Sequence, residues 1–596
     1  MTLAGEIRGV FKHRPNFLIL MCDQERYPVC YEDNALRQWR AHYLQAQNLL
    51  RRNGLDFRQH YTGATACCPA RATLFTGQYP SLHGVSQTDG VAKGPFDPGM
   101  FWLDPNTVPT MGDYFRAAGY RTFYKGKWHI SDADITIPAT HYSLPSYQPE
   151  TGVPDPAREE LYRDADRLEG FGFSGWIGPE PHGAHPHNSG SSARFGVSGR
   201  DVVYGAEVVR LLEQLDQEKP AGGTADPWLL VASFVNPHDI AIYGFFSDHL
   251  PTFCFAVDDT IPEIPPPPTF RQSFATRPRC QLSYRRTFSR ATQPVVQNTF
   301  YRQLYYQLQK NVDQAMQQVL ERLRRSSFYE DTVVVFTSDH GELLGAHGGM
   351  VQKWYCAFEE VIRVPLVIHN PRLFPEPRST ELLTSHVDIL PTLLELAGID
   401  PGEVQQQLRA DHSEVQPLVG RDLSSLVREG NYPDRATEPV YFMTDDDITQ
   451  GLHQTNPIGL PYEPVIQPNH VETVVAYLAS SQGPSLWKYS RYFDNPQFWV
   501  HPETQGRVQR GAGDHFSAGD AINDKAAVDD VDPAAEEYEL YNLTADPLEE
   551  NNLAAPEYAT PETRVIQQQL SQILREQCRQ KRLTPASGSV PGAPRC

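Results

Sequence analysis

The sequence has no apolar run long enough to cross a membrane, no CxxC pair that suggests zinc, and no internal repeat. The first apolar run, Phe17–Cys22, is far shorter than the roughly 20 residues of a transmembrane helix, and no cleavage pattern follows it. We therefore predict a cytoplasmic protein that does not bind membranes. The nine cysteines are odd in number and lack small-domain spacing, which argues against a disulfide scaffold.

Positive charge is also scarce. The chain carries 52 Lys and Arg against 73 Asp and Glu, a formal net charge of −21. This balance argues against nucleic acid and anionic membranes as partners, and an anionic substrate would need a local positive pocket. At 596 residues, the chain is long enough for one large unit with a smaller one attached.

Buried apolar runs alternate with amphipathic helical patterns over the first two thirds of the chain. Helices are predicted at Tyr301–Arg325, which has an apolar stripe, and at Asp388–Ala397, which Gly398 ends. This alternation predicts an α/β fold with a large, mainly parallel sheet flanked by helices. Ligands bind beyond the carboxyl ends of strands in such sheets. Polar residues that could bind ligands or transfer protons follow five of the apolar runs: Asp23, Lys127 to His129, Asn236 to Asp239, Asp339 with His340, and His369 with Asn370.

The pattern changes after about Pro439, where strands that alternate apolar and polar residues precede a terminal helix. We predict a catalytic unit at 1–438, an α+β C-terminal subdomain at 439–582 and a disordered tail at 583–596. Two irregular segments are also expected. They are an acidic, Gly/Ala-rich exposed loop at 505–537 and an insertion at 270–298 that follows a proline-rich connector.

The segment Cys67–Gly77 reads CCPARATLFTG, a helix that begins around Pro69 with Cys67 just before its first turn. The free N–H groups and dipole of a helix start favour an anion at Cys67, and Arg71 adds a cation one turn along. The simpler interpretation is a buried cysteine pair that caps a helix.

This segment resembles the signature of the sulfatase family, in which Cys-x-Pro-x-Arg followed by Thr-Gly directs oxidation of the first cysteine to formylglycine. The modified residue would be Cys67; Cys68 is the variable position, and Ala70 replaces the more usual serine. The resemblance implies an alkaline-phosphatase-like fold and a formylglycine-generating enzyme as maturation partner. Association into a homo-oligomer stays open. Further matching segments are Gly126–His129, Asn236–Asp239, Ser338–Glu342, Lys353 with Arg363–Pro365, and Tyr538–Pro547.

The family resemblance also implies a mechanism. An unmodified thiol would form a stable thiosulfate, whereas an aldehyde hydrate carries two hydroxyls. One hydroxyl attacks the sulfur of a small-molecule sulfate ester and releases the alcohol. Deprotonation of the other then expels the sulfate as the aldehyde reforms.

By the same resemblance, Asp23, Gln24, Asp339 and His340, with an oxygen of residue 67, would hold one divalent metal ion. The alternative is a set of solvated loop residues. Many sulfatases have Asp at the position of Gln24 and Asn at that of His340, an all-oxygen set suited to calcium. The combination found here looks more like that of choline sulfatases and phosphonate monoester hydrolases, and an imidazole ligand shifts the preference toward manganese. The ion is therefore Ca²⁺ or Mn²⁺.

The remaining catalytic candidates are Arg71, Lys127, His129, His238 and Lys353, which match signature or substrate-contacting positions of the family. Lys127 and Lys353 would hold sulfate oxygens. His129 would act as the base for sulfate elimination, and His238, with Lys353, would protonate the leaving alkoxide. A single His or Lys is otherwise more often structural or solvated.

Three further features suggest weaker interpretations. The tract His182, His185 and His187 is predicted to belong to a Gly/Pro-rich loop over the active-site mouth rather than to a metal site. The run Asp445–Asp447 is predicted to be solvated, and Glu342 to orient His340.

The leading function is sulfate ester hydrolysis. Hydrolysis of phosphonate monoesters or phosphodiesters at the same site is the alternative, because tetrahedral sulfate and phosphate groups differ mainly in charge. Less favoured are a non-catalytic binding protein on this scaffold and a metal-dependent phosphatase that uses unmodified Cys67.

Overall fold

The computed structural model describes residues 11, 13–183, 185–218, 226–430, 438–479, 483–495, 506–507, 529–530 and 533–585. Most of the predicted loop at 505–537 and the tail beyond residue 585 lie outside these residues. The predicted boundary at residue 438 adjoins the segment 431–437, which is also outside them, and this boundary remains a prediction. In the described part of the chain, no helix has the length and apolar character needed to span a bilayer.

A seven-stranded sheet forms the centre of the larger unit, with strand order β3-β4-β1-β5-β6-β2-β7. Strand β1 pairs in parallel with β4 and β5, whereas β6 runs antiparallel to β5 and β2. The predicted mainly parallel sheet is therefore confirmed. The strands are β1 Asn16–Asp23, β2 Gly54–Tyr61, β3 Arg121–Gly126, β4 Trp228–Pro237, β5 Thr332–Ser338, β6 Leu366–His369 and β7 Arg378–Ser385.

Helices cover both faces of this sheet, which is why its central strands are buried along their whole length and mostly apolar rather than alternating. All ten residues of β4 and all seven of β5 are buried. The α-helices are α1 Asn34–Tyr43, α2 Gln45–Arg52, α3 Cys67–Thr76, α4 Pro80–His83, α5 Met111–Ala117, α6 Pro156–Ala165, α7 Arg200–Gln217, α8 Phe245–Asp248, α9 Arg279–Ala291, α10 Thr299–Arg324, α11 Ala346–Gly349, α12 Glu359–Ile362, α13 Ile389–Leu396, α14 Pro401–Leu408, α15 Ser424–Glu429 and α16 Pro561–Lys581.

The two helices predicted from periodicity are present, with shifted starts. Helix α10 begins at Thr299, because the side chain of Asn298 accepts a hydrogen bond from the backbone N–H of Tyr301 and caps the helix. The other begins as a 3₁₀ turn, His386–Asp388, before α13. The prediction of an irregular segment at 270–298 was wrong, because it contains α9, in which the buried residues Cys280, Tyr284 and Phe288 recur at helical spacing.

A four-stranded antiparallel sheet forms the smaller C-terminal unit. Its strands are β8 Val440–Thr444, β9 His470–Leu478, β10 Ser485–Phe493 and a fourth strand, Glu537–Asn542. The fourth strand pairs with β10, β10 pairs with β9, and β9 pairs with β8. Leu570 and Leu574 of α16 pack against this sheet in a buried cluster. The expected smaller α+β subdomain is therefore present.

Candidate active site

The carboxyl ends of four neighbouring strands bring the candidate residues to one edge of the large sheet. Asp23 at the end of β1 lies opposite Pro237, the last residue of β4, and Cys22 lies opposite Ser338 at the end of β5. Gly126, the last residue of β3, pairs with Ser233. Because parallel strands end on the same side, Asp23, Asp339, Lys127 and His238 converge there.

Gly126 permits this convergence at the β3 end. Its φ is +96°, and a Cβ on it would lie 1.8 Å from the carbonyl oxygen of Ser233. Only glycine fits such a close approach of two backbones. The turn directs Lys127 toward β1, where its Nζ lies 2.6 Å from Asp23 Oδ2.

Helix α3 presents Cys67 at its first residue. The Cys67 Sγ atom lies 3.2 Å from His340 Nε2 and 3.7 Å from Asp23 Oδ1. Burial and Asp23 favour the neutral thiol, but Lys353, Lys127 and His340 outweigh them and hold the pKa of Cys67 well below its usual value. Lys127 and Lys353 therefore place positive charge beside residue 67, which an anionic substrate would need in this acidic chain.

A candidate metal site surrounds the same sulfur. Ligand atoms of Asp23, Cys67, Asp339 and His340 all lie within 4.8 Å of one another, and all four residues are buried. Burial and the neighbouring Asp23 raise the pKa of Asp339. Two facing carboxylates in a buried site are stabilised by a divalent cation, so these residues fit the ion that the family resemblance implies.

The ring of His340 is oriented for such a role. Its Nδ1 lies 3.0 Å from the carbonyl oxygen of Gly341, which can only accept a hydrogen bond. In the neutral ring the proton is therefore on Nδ1, and the lone pair of Nε2 faces Cys67 and the two carboxylates.

Gln24 lies beside this cluster with its side chain already engaged. Its Oε1 accepts a hydrogen bond from Lys353 Nζ at 2.9 Å, and its Nε2 donates to Glu342 Oε2 at 2.5 Å and to Gln352 Oε1 at 2.8 Å. Its backbone has a left-handed φ of 74°, and its N–H donates to Asp339 Oδ1. Glu342 thus orients Gln24, so the prediction that it orients His340 was wrong.

Arg71 is buried beneath the site and faces the acids. Its Nε donates to Asp339 Oδ2 at 2.9 Å, and its Nη2 donates to Asp23 Oδ2 at 3.2 Å. Its Nη1 donates to the carbonyl oxygen of Lys127 and to Ser233 Oγ. These contacts make Arg71 a clamp between strands β1, β3, β4 and β5.

The two candidate histidines have different electrostatic surroundings. Burial and Lys127 lower the pKa of His238 to about 3, so this ring is neutral in the free protein. A bound sulfate beside the ring would raise that pKa, because negative charge favours the imidazolium. For His129, burial lowers the pKa, but Cys68 and Asp89 outweigh it and raise the pKa well above the usual value.

Several residues at the site escaped the sequence interpretation. Asp89 Oδ1 lies 2.7 Å from His129 Nε2, and Glu180 Oε1 accepts the His129 backbone N–H at 2.7 Å. Asp446 Oδ2 accepts the backbone N–H of Ala66 at 3.2 Å and the Trp354 indole N–H at 3.1 Å. Asp89 and Glu180 stand in loops without a motif, so no sequence signal identified them. Asp446 belongs to the run Asp445–Asp447, whose contacts with the site the sequence did not predict.

Asp446 also corrects a prediction. The run Asp445–Asp447 is buried rather than solvated, because each carboxylate has polar partners. Asp445 pairs with His470 at 2.7 Å, and Asp447 accepts from Tyr355 at 2.6 Å.

The histidine tract divides between two places. The ring of His182 lies 5.2 Å from that of His129, centroid to centroid, which places His182 beside the candidate site. His187 instead lies 3.0 Å from the carbonyl oxygen of Val197 through its Nδ1.

The mainly parallel sheet flanked by helices, with buried acids at its carboxyl edge, is an α/β fold of the alkaline-phosphatase-like type. Residues 15–399 match the model of the Sulfatase family. The chain belongs to the sulfatase family and is a sulfuric ester hydrolase, as the sequence resemblance implied.

Similar proteins agree with this assignment. The chain is 29% identical to the choline-sulfatase of Rhizobium meliloti over 66% of this chain and 69% of that protein. It is 27% identical to the uncharacterized sulfatase YidJ of Escherichia coli K12, with the same two coverages. A putative sulfatase from Bacteroides thetaiotaomicron shares the fold with a TM-score of 0.56 at 19% identity, covering 96% of this chain and 93% of that one. The phosphonate monoester hydrolase of Agrobacterium radiobacter does so with a TM-score of 0.56 at 20% identity, covering 96% of both chains.

Proposed function

We propose that this protein hydrolyses a small-molecule sulfate ester with residue 67, oxidised to formylglycine, as the nucleophile. The observation that carries the proposal is the group of four buried ligand atoms from Asp23, Cys67, Asp339 and His340, all within 4.8 Å of one another. A divalent ion held by these residues would lower the pKa of the hydrate and neutralise sulfate oxygens.

The chain's own residues supply the remaining chemistry. Lys127 and Lys353 lower the pKa of the Cys67 thiol, so the same charges would stabilise an anion bound there. His129 takes a proton from the hydrate, and His238, with Lys353, donates one to the leaving alkoxide. Arg71 and Gln24 hold these groups in place through the hydrogen bonds described above.

The modification is tested by the mass of the peptide that contains residues 67 and 68, from protein made in its native host. Conversion of the thiol to the aldehyde lowers the mass by about 18 Da, a change that belongs to cysteine oxidation chemistry. The adjacent cysteine offers a matched control. Cys68→Ser should keep the modification, whereas Cys67→Ser should lose both the modification and the activity. An unmodified thiol in active protein would contradict the proposal.

Hydrolysis of a phosphonate monoester or phosphodiester is the second candidate function. The observation that favours it is the presence of His340 in the ligand group, with Nε2 facing Cys67 at 3.2 Å, since the Asp-Gln and Asp-His combination resembles phosphonate monoester hydrolases as well. Initial rates on a sulfate ester and a phosphonate ester of the same phenol distinguish the two. A faster phosphonate reaction would replace the first proposal with the second.

A further inference from the structure

Asp89 and His129 form a buried pair beside the nucleophile. The carboxylate oxygen Oδ1 of Asp89 lies 2.7 Å from Nε2 of His129, and each residue is less than a tenth exposed. Both are more than 20 residues from Cys67 in sequence, and no motif of the sequence includes Asp89.

Against burial, Asp89 contributes to the raised pKa of His129, which makes the ring a stronger base in its neutral form, and it fixes the tautomer of that neutral form. A carboxylate can only accept a hydrogen bond, so Nε2 carries the proton and Nδ1 carries the lone pair. Nδ1 of His129 is buried and has no hydrogen-bond partner among the described residues. The Cys68 sulfur, an Asp89 carboxylate oxygen and a ring nitrogen of His129 all lie within 4.8 Å of one another, which places the ring against the nucleophile's segment.

The surroundings hold the ring in this position. The backbone of His129 has a left-handed φ of 56°, and Glu180 fixes it by accepting the N–H. The rings of His182 and Trp102 lie 5.2 and 6.0 Å away, centroid to centroid. A left-handed, over-determined backbone at a functional position is typical of a preorganised group.

We infer that Asp89 is a positioning residue for catalysis, which holds His129 with Nε2 protonated and Nδ1 free to take a proton from residue 67. This inference rests on the proposed function. The step concerned is the release of sulfate. The Nδ1 atom takes the proton of the free hydroxyl on the sulfated hydrate, the O–H electron pair forms the C=O bond, and the C–O bond to sulfate breaks with its electrons leaving on sulfate. Water then hydrates the aldehyde again.

The decisive variant is Asp89→Asn, with Asp97→Asn as the matched control. Both aspartates are 8% exposed, but among the described residues the side chain of Asp97 accepts hydrogen bonds only from backbone N–H groups, those of Gly99 and Leu452. An asparagine at 89 can donate to Nε2, which would move the ring proton to Nδ1 and remove the base, as happens when the aspartate of a Ser-His-Asp triad is replaced.

The readout is the release of 4-nitrophenol from 4-nitrophenyl sulfate in steady-state and rapid-mixing experiments. Asp89→Asn should lower kcat by about 10²-fold or more without raising KM, because only the proton transfer is impaired. Attack on sulfur is less affected, so the variant should show a burst of one nitrophenol per active site. Asp97→Asn should show wild-type kinetics.

A double variant tests whether Asp89 acts through His129. Asp89→Asn combined with His129→Ala should be no slower than His129→Ala alone. If the two losses multiply instead, or if Asp89→Asn raises KM with kcat unchanged, the inference is wrong.

Folding and modification are checked by the thermal unfolding midpoint and the mass of the residue 67 peptide for each variant. If Asp89→Asn does not fold, Asp89→Glu serves, since it keeps the carboxylate but displaces it. It should also give a burst and a reduced kcat, and a Glu variant with wild-type kcat would overturn the inference. Failure of the proposed function would appear in the wild type, as absent modification or turnover, whereas failure of this inference would appear only in the variants.

Discussion

Lys127 Nζ lies 2.6 Å from Asp23 Oδ2, and both side chains are buried at the carboxyl edge of the sheet. Burial raises the pKa of Asp23, but Lys127 and Arg71 outweigh it and hold this pKa well below its usual value. The pair therefore keeps a charged acid and a charged amine together where the substrate's anion would bind.

Replacement of Lys127 by alanine should remove one cation from the anion site. We expect kcat/KM for an aryl sulfate to fall by about 10²–10³-fold, the usual effect of removing one donor to developing negative charge. Lys125→Ala is the matched control, because Lys125 lies two residues earlier, on β3, contacts the carbonyl oxygen of Gly175 and lies 3.9 Å from Glu207. An equal loss in both variants would contradict a specific role for Lys127.

The metal ion that best supports activity should depend on which residue stands at position 340. Removal of divalent ions with a chelator should abolish turnover, and addition of Mn²⁺ should restore more activity than Ca²⁺, because an imidazole ligand favours transition ions. His340→Asn should reverse this order, since it creates an all-oxygen set. The ratio of activities restored by the two ions, in wild type and variant, is the measurement. An unchanged ratio would show that His340 does not contact the ion.

Arg71→Met should destabilise the fold strongly. It leaves Asp23 and Asp339 buried without the guanidinium that bonds to both, and breaking a buried ion pair in this way costs about 3–5 kcal/mol. Urea denaturation of the metal-free protein measures the loss in the free energy of unfolding. Arg116→Met is the control, because Arg116 is only partly buried and its ion pair with Glu169 is at the surface. A loss below about 1 kcal/mol for Arg71→Met would contradict the clamp.

Glu180 should make stability depend on pH. Burial raises its pKa to about 7 from the ordinary value of 4.5, although His129 opposes this shift. A folded-state pKa above the unfolded value means that the folded protein binds the proton more tightly. The contribution of Glu180 to the free energy of unfolding is therefore fully present below pH 4.5 and is lost as the pH rises to about 7.

Glu180→Gln removes this titration and keeps an acceptor for the N–H of His129. The free energy of unfolding of the variant relative to wild type should therefore rise between pH 5 and pH 8, by no more than about 3 kcal/mol. Urea denaturation at the two pH values measures the difference. A constant difference would show that Glu180 has the same pKa in both states.

Much of the fold could be predicted because its signals are local. Uninterrupted apolar runs identified the central strands β1, β4 and β5, and the apolar stripe of α10 identified the helix that packs on α7 and β4. Helix α9 was missed although Cys280, Tyr284 and Phe288 recur every four residues, because this stripe is short and stands among charged and polar residues.

The sequence by itself determined which chemistry is present. The Cys67–Gly77 motif and the polar residues at strand ends are short, contiguous patterns, and parallel strands must bring their carboxyl ends to the same edge.

Only the tertiary structure decided how these groups are held. Asp89 meets His129 across 40 residues, Glu342 meets Gln24 across 318, and Asp446 meets Ala66 across 380. Each contact joins loops whose sequences have no periodicity, and a single carboxylate in a loop has the same local pattern whether it is solvated or buried against a partner. Burial and distance, which set the pKa and orientation of these groups, exist only once the chain has folded.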